Sequence, residues 1–516
     1  MANEILPLTP HPTGEQPQVA TLLLPGTVSV DTYGGRVHVE WDNEGAVTPL
    51  GQLPFFIDFL KAGGLFDGWV ADGPLEYRSP NAPKKRDVFG TVMLSILAGH
   101  WRYAHMTALR GDLVLPELLG MDRVVSEDAV RRALKTMDED KAREWCHRHL
   151  DYCTFAALGE PWVLDVDTTI KLLYGHQEGA EVGYNPHKPG RPSHTYHTYM
   201  AANLRLVLEV DVKAGDEHTS SHTGPGLWAL LDRIGRDRWP ALLRGDAGFG
   251  NEPIMREAES RGLPYLFKLR QTANVKRAIT RIMGQSGWGD AGQGWQGKET
   301  ELRLTGWGRQ RRIIVLRRRL SKSLAVAERD GAGQLCLGFA EIGKGHEVYE
   351  YAVLVTSLDT EILTIGQLYR DRADCENNFD ELKNQWGWAG FTTRDIKRCQ
   401  IMARIGALVF DWWNLFVRLA NPDRHLEAIT SRPLFLHAIA QKIRHAGQTI
   451  LRIANPHGKA RWAAQVLAEV AAFLRTIKAN AEQLTDEQRW YRILSHALRK
   501  FLKGRQLHPP PRLTTA

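Results

Sequence analysis

Three stretches of the chain carry carboxylates in places where a counter-charge would be needed. In "LDVDTT", Asp165 and Asp167 are two residues apart. Side chains alternate along a strand, so both point to one face while Trp162, Leu164 and Val166 point to the other. Burying two carboxylates on one face is costly unless a cation compensates them; the plain alternative is a strand end paired with Arg or Lys. "LLRGDAGFG" ends an apolar run on Asp246, with glycines at 245, 248 and 250 that let another backbone come close. Ligand sites in open α/β sheets gather at carboxyl ends of strands, although an Asx turn would use the same residues. "YRDRADCENNFDELKNQWG" (369–387), read as one helix, puts Tyr369, Arg372, Glu376 and Lys383 on one face. Asp380 shares that face and Glu381 does not. Glu376 and Asp380, four residues apart, repel each other on a solvated helix, and a bound metal would remove the repulsion.

Carboxylates on two strands and a helix suit two Mg²⁺ ions, with Mn²⁺ able to replace them, because these ions take oxygen ligands and keep positions open for phosphate and water. Such a pair clamps the attacking and leaving oxygens of an in-line phosphoryl displacement. Arg372 and Lys383 would then hold phosphates, and Tyr369 would offer a hydroxyl and an aromatic face. The residue types alone leave open Asp165 against Asp167, and Glu376 against Asp380.

The elements that must position these groups follow from pattern. Residues 1–45 are Pro- and Gly-punctuated and read as a partly ordered arm. Residues 46–158 are helical in period; Ser126 is a candidate N-cap, followed by Glu127 and Asp128 in the first turn, where the helix dipole favours acids. Its basic helix, with Arg131, Arg132 and Lys135, makes this region a candidate DNA-binding domain, though composition alone favours an ordinary amphipathic helix. From 159 to 270, three strand-like runs ("WVLDVDTTI", "HTYHTYMAANLRL", "LVLEVDVKA") precede alternating helix and strand, the signature of an α/β layered core. Residues 271–347 read as a basic, β-rich insertion. Residues 348–420 return to the core with the glutamate helix and the helix after it, 421–507 read as a helical C-terminal domain, and 508–516 as a disordered tail.

The chain has 516 residues and a formal net charge of +7. Its distribution says more than its total. From Lys268 to Lys322 there are fourteen Lys or Arg against Asp290, Glu299 and Glu301, whereas the first fifty residues hold six acids against Arg36. A local positive excess suits a phosphate-contacting surface. The five cysteines form no C-x-x-C pair, which fits a reducing compartment. No basic leader opens the sequence. "RIGALVFDWWNLFVRLA" is interrupted by Asp411 and Arg418 and reads as a buried helix rather than a membrane span.

Two further clusters weigh less. Cys146, His147, His149 and Cys153 match no usual zinc spacing, and a helix would scatter them. Lys188, Arg191, His194 and His197 could line a DNA-contacting loop or simply a polar connector.

The order Asp, Asp, Glu, with Y-x2-R-x3-E-x6-K around the glutamate, resembles bacterial insertion-sequence DDE transposases carrying the Y-R-E-K signature. Tyr369, Arg372, Glu376 and Lys383 fit its spacing without a gap, "DTT" resembles the first acidic motif and "RGDAGFG" the second. "GYNPHKPGRPSHTYHTYMAANLRL" is similar to the group around insertion sequence 1380. The resemblance covers residues 90 to 420. It implies an RNase H-like core with an insertion before the glutamate helix, and metal-binding catalytic residues Asp167, Asp246 and Glu376. It also implies that Tyr369, Arg372 and Lys383 contact DNA-end phosphates. Cut-and-paste transposition on terminal inverted repeats and target DNA would follow: water cleaves at the element end, then the freed 3′-hydroxyl attacks the target. A homodimer assembled on DNA and a cytoplasmic, nucleoid-associated location are implied as well. In relatives an insertion tryptophan holds a flipped base; Trp288, Trp295 and Trp307 are candidates here. A nuclease of the same core without joining activity, and a DNA-binding protein that has lost the chemistry, are the alternatives.

Overall fold

The computed structural model describes residues 26–42, 44–77, 79–185, 188–217, 219–320, 328–329, 335–336, 349–454, 457–480 and 482–509. By its internal contacts the chain divides into two units, Met1–Ala46 and Val47–Ala516. In the first, β1 (Val28–Thr32) and β2 (Gly35–Val39) form an antiparallel hairpin held by the Asp31–Arg36 ion pair at 2.9 Å. The arm expected here is thus paired over part of its length; residues 1–25 lie outside the described ones.

The second unit begins with β3 (Val47–Thr48) and six helices: α1 (Leu53–Ala62), α2 (Leu65–Asp72), α3 (Lys85–Leu97), α4 (Val114–Leu119), α5 (Glu127–Thr136) and α6 (Glu139–Thr154). Ser126 caps α5 by accepting from the Ala129 N–H at 3.3 Å, and Asp138 caps α6 from Lys141 at 3.0 Å. Each cap satisfies a backbone N–H that the first turn leaves without a partner.

A nine-stranded mixed sheet follows. β4 (Val163–Leu172), β5 (Ser193–Ala201) and β6 (Leu206–Ala214) run antiparallel in succession. α7 (Thr219–Ile234) leads to β7 (Leu242–Gly245), parallel to β4, and α8 (Glu252–Ser260) leads to β8 (Tyr265–Lys268), parallel to β7. The α/β alternation read from the sequence is therefore present to Lys268.

The stretch expected to be β-rich opens instead on a helix, α9 (Ala273–Met283). Val275, Ala278, Ile279 and Ile282 are its buried side, at helical spacing that the surrounding glycines and charges obscure. β9 (Gly289–Gly292), β10 (Trp295–Leu302) and β11 (Arg311–Arg319) come next, then the short pair β12 (Glu328–Arg329) and β13 (Leu335–Cys336), then β14 (Tyr349–Thr356). The sheet order is β6-β5-β4-β7-β8-β14-β11-β10-β9. The strands of the insertion thus extend the core sheet itself, and β11 and β14 begin their ladder at the pair Arg319 and Tyr349. Most of 320–348 lies outside the described residues.

α10 (Ile362–Arg370) and α11 (Ala373–Gln385) follow. Gly297 and Gly366 bring α10 close to the sheet: a Cβ at Gly297 would lie 2.3 Å from Ile362 Cγ2, and one at Gly366 would lie 2.8 Å from the Ala291 carbonyl. α12 (Ile396–Ala420) is buried along most of its length, against β6 and α6. Its Trp412 meets Trp69, which stacks on Trp145 at 5.2 Å, and this joins the first helices to the sheet layer. Among the described residues no helix is long and apolar enough to cross a membrane.

The C-terminal stretch read as helical contains α13 (Ala428–Phe435), α14 (Ala460–Ala479) and α15 (Asp486–Ala497), but also a hairpin, β15 (Ile439–His445) and β16 (Gln448–Ala454). Its turn residues Ala446 and Gly447 have φ of 48° and 75°, the conformation a two-residue hairpin turn requires. Of the tail expected at 508–516, residues 510–516 lie outside the described ones.

Candidate active site

The two aspartates of "DVD" separate in role. Asp165 is fully buried, and Arg244 of β7 donates to its carboxylate twice, at 2.5 and 2.7 Å. A further N–H of Arg244 reaches the Leu368 carbonyl at the end of α10. Asp165 is therefore a structural anchor that ties β4, β7 and α10 together. A signal for this was present: Arg244 and Asp246 share one face of β7 by alternation, as Asp165 and Asp167 do on β4.

β4 and β7 pair in parallel register through Asp165↔Arg244 and Val166↔Gly245. The next position on each strand is Asp167 and Asp246, so the two carboxylates start from neighbouring strand positions at the carboxyl end of β7. Asp246 closes an Asx turn, accepting from the Gly248 N–H at 2.8 Å. Asp167 accepts from its neighbour Thr168 N–H at 2.7 Å and from Arg372 at 2.6 Å. Burial pushes its carboxyl up to about 7; the Arg372 guanidinium opposes that shift, and the charges of Asp246 and Glu376 add to it.

Arg372 is buried at the N-terminus of α11 and donates at once to Asp167 and, at 2.8 Å, to Glu376. The carboxylate of Glu376 is otherwise open, its side chain 66% exposed. The single helix expected over 369–387 is broken: α10 ends at Arg370 and α11 starts at Ala373. The break still leaves Tyr369, Arg372 and Glu376 lining one cavity of ≈ 260 Å³, with Lys268, Trp295 and Arg370. Burial pushes the Tyr369 hydroxyl up to about 12, with Arg372 opposing and Asp246, Glu376 and Asp167 contributing. The phenol is thus a neutral hydrogen-bonding group within electrostatic reach of all three acids. Lys383, two turns along α11 from Glu376, is half-buried; desolvation lowers its pKa, and Asp380 and Asp167 pull it back. Asp380 is exposed and accepts from Asn384 at 2.8 Å. Glu381 faces away into the protein, accepting from Trp386, His425 and the Ala428 N–H.

Two charged cavity residues were not singled out from sequence, Lys268 and Arg370. Arg370 has its Nε and one Nη buried without a hydrogen-bond partner among the described residues, and Arg372 has its Nε in the same condition. Buried, unsatisfied guanidinium N–H groups beside a cavity match an anionic oxygen. Of the insertion tryptophans, Trp307 is buried and Trp288 lies under Arg317 at 4.0 Å, while Trp295 lines the cavity.

No group of three or more His, Cys, Asp or Glu side chains among the described residues is arranged to hold a metal ion. The donor chemistry nevertheless fits one. Asp167, Asp246 and Glu376 are oxygen donors whose charges act on each other, and the guanidinium of Arg372 supplies the positive charge between two of them. The remaining clusters point apart. His149 meets Asp72 at 3.0 Å and His147 meets Glu209 at 2.5 Å. His194 and His197 are buried within β5, while Lys188 and Arg191 are exposed over Tyr174.

The family model for the transposase DDE domain, group 1, matches residues 82–475. The chain belongs to this transposase family. Asp167, Asp246, Tyr369, Arg372, Glu376 and Lys383 all fall within the matched DDE domain, as do the sheet and α10 to α12. A solved piggyBac transposase synaptic complex with hairpin DNA is similar at 12% identity, covering 85% of this chain and 83% of that one, with a TM-score of 0.36. That likeness is too loose to align individual residues. No curated protein matches the chain.

Proposed function

We propose that the chain is an insertion-sequence transposase that cuts DNA at terminal inverted repeats and joins the freed ends to target DNA. In this reading the sheet is an RNase H-like core, and Asp167, Asp246 and Glu376 are its catalytic carboxylates. The observation that carries it is the bridge of Arg372 between Asp167 and Glu376 inside a matched DDE domain. Residues 205 positions apart in sequence are brought together, with Asp246 on the adjoining strand.

Asp167, Asp246 and Glu376 would hold divalent cations, Mg²⁺ by their all-oxygen donor set, and such ions activate water and steady the leaving oxygen in phosphoryl transfer. The chain's own residues do the rest. Arg370 and Arg372 offer unsatisfied N–H groups to phosphate oxygens, and Lys268 adds charge to the same cavity. Tyr369, neutral at working pH, donates a hydrogen bond without drawing a proton from the site. Trp295 presents a ring at the cavity on which an unpaired base can stack.

The test supplies linear DNA ending in the element's repeats, a target plasmid and Mg²⁺. Joined product that disappears in Asp167→Ala, Asp246→Ala and Glu376→Ala supports the reading. Cleavage without joining would make the protein a nuclease, and unchanged activity in all three variants would remove these carboxylates from the chemistry.

A further inference from the structure

Residues 428–468 contain six Lys or Arg and no Asp or Glu. This acid-free run forms α13, the β15–β16 hairpin and the start of α14. Most of its charges face solvent: Arg444, Arg452, Lys459 and Arg461 are exposed. Glu117 of α4 pairs with Lys442 and reaches Arg444 at 3.7 Å. Among the described residues Arg452, Lys459 and Arg461 meet no carboxylate. β16 is the edge of a three-stranded sheet in which β3 pairs only Ala440 and Gln441 of β15, so from Lys442 to the turn the hairpin is a two-stranded ribbon. One face of it carries Gln441, His445, Gln448 and Arg452 by register, with Ile443 and Ile450 between them, and the other carries Lys442 and Arg444.

At the base of the hairpin Phe435 meets Trp462 at 5.6 Å, and Trp462, 42% exposed, opens onto a cleft of ≈ 560 Å³. Arg499, Lys500, Asn421 and Asp423 line the same cleft. Lys500 is held by the Asp423 carbonyl at 2.9 Å. Cations, amides and an exposed ring are thus grouped on one side of the C-terminal region, and Trp295, Tyr369 and the carboxylates line none of it.

We infer that the hairpin and the start of α14 form a second DNA-binding surface, which follows the phosphate backbone of duplex DNA outside the catalytic cavity. A two-stranded ribbon has the width of a major groove, and Arg and Gln side chains are suited to phosphates and base edges. The inference rests on DNA being the substrate.

The test compares the full-length chain with a variant carrying Arg444→Gln, Arg452→Gln, Lys459→Gln and Arg461→Gln. Binding to a labelled duplex that includes the element end is followed by anisotropy across a KCl series. Each lost phosphate contact lowers the salt slope by about 0.9, so a loss of about 3.6 in slope and at least about tenfold weaker binding are expected. A quadruple variant with wild-type slope and affinity would overturn the surface while leaving the transposase reading in place. No duplex binding by the wild-type chain would overturn both. A photoreactive p-benzoylphenylalanine at Gln448 gives a second measurement on an otherwise unaltered surface: crosslinking to duplex DNA is expected, and none would overturn the inference.

Discussion

Arg372 donates to Asp167 at 2.6 Å while its other terminal nitrogen holds Glu376 at 2.8 Å. A planar, forked cation suits this double task, and a lysine ammonium reaches it poorly. Arg372→Ala should therefore lower end cleavage by about 10²–10³-fold, the scale of losing a charge-stabilising donor. Arg372→Lys should recover only part of that. The measurement is single-turnover cleavage of end-bearing DNA.

Asp165 and Arg244 form a buried pair with two hydrogen bonds. Removing one partner of such a pair strands the other, at a cost of about 3–5 kcal/mol. Arg244→Ala should lower the denaturation midpoint sharply. Asp167→Asn should barely move it while abolishing cleavage. Denaturant melts of both variants check the division of labour between two aspartates two residues apart.

Asp411 is buried within α12 and accepts from the Val207 N–H at 2.9 Å. Burial holds its carboxyl well above the usual range. The folded state therefore keeps a proton that the unfolded chain releases above about pH 4. Stability from this group falls as pH rises past that point. Asp411→Asn has no proton to lose, so its Tm relative to wild type should climb between pH 5 and pH 8. Asp411→Ala instead leaves the Val207 N–H without a partner and should cost about 1–3 kcal/mol relative to Asp411→Asn at any pH.

The insertion tryptophans divide by burial. Trp307→Ala should destabilise by about 3–5 kcal/mol, as deletion of a large buried ring does. Trp295→Ala should leave thermal stability within a few degrees and weaken handling of the DNA end. Melting curves read beside cleavage assays on the same preparations separate the two effects.

The carboxylate motifs and the alternation up to Lys268 were legible because they are local: strand period, a turn after an apolar run, and spacing within one segment. The partner of Asp165 was legible only in part: alternation puts Arg244 on the face of Asp246, but choosing it requires the register of β4 against β7, 79 residues away. The break between α10 and α11 has no Gly or Pro to announce it. It arises where Arg372 turns inward to the carboxylates, whereas Asp380, one turn beyond Glu376 on the unbroken α11, accepts from Asn384 and lies outside the cavity. The β15–β16 hairpin does alternate, but it sits among helical runs whose stronger period masks it.

Arg319 and Tyr349 oppose each other across the β11–β14 ladder. The chain between them leaves and re-enters the sheet at adjacent points, so lengthening it adds a closure entropy that grows only slowly with length and keeps the β11–β14 ladder in register. That makes the interval a natural graft point. A tag, a fluorescent reporter or a targeting domain inserted there would be carried on the rim of the sheet, with both of its ends already anchored.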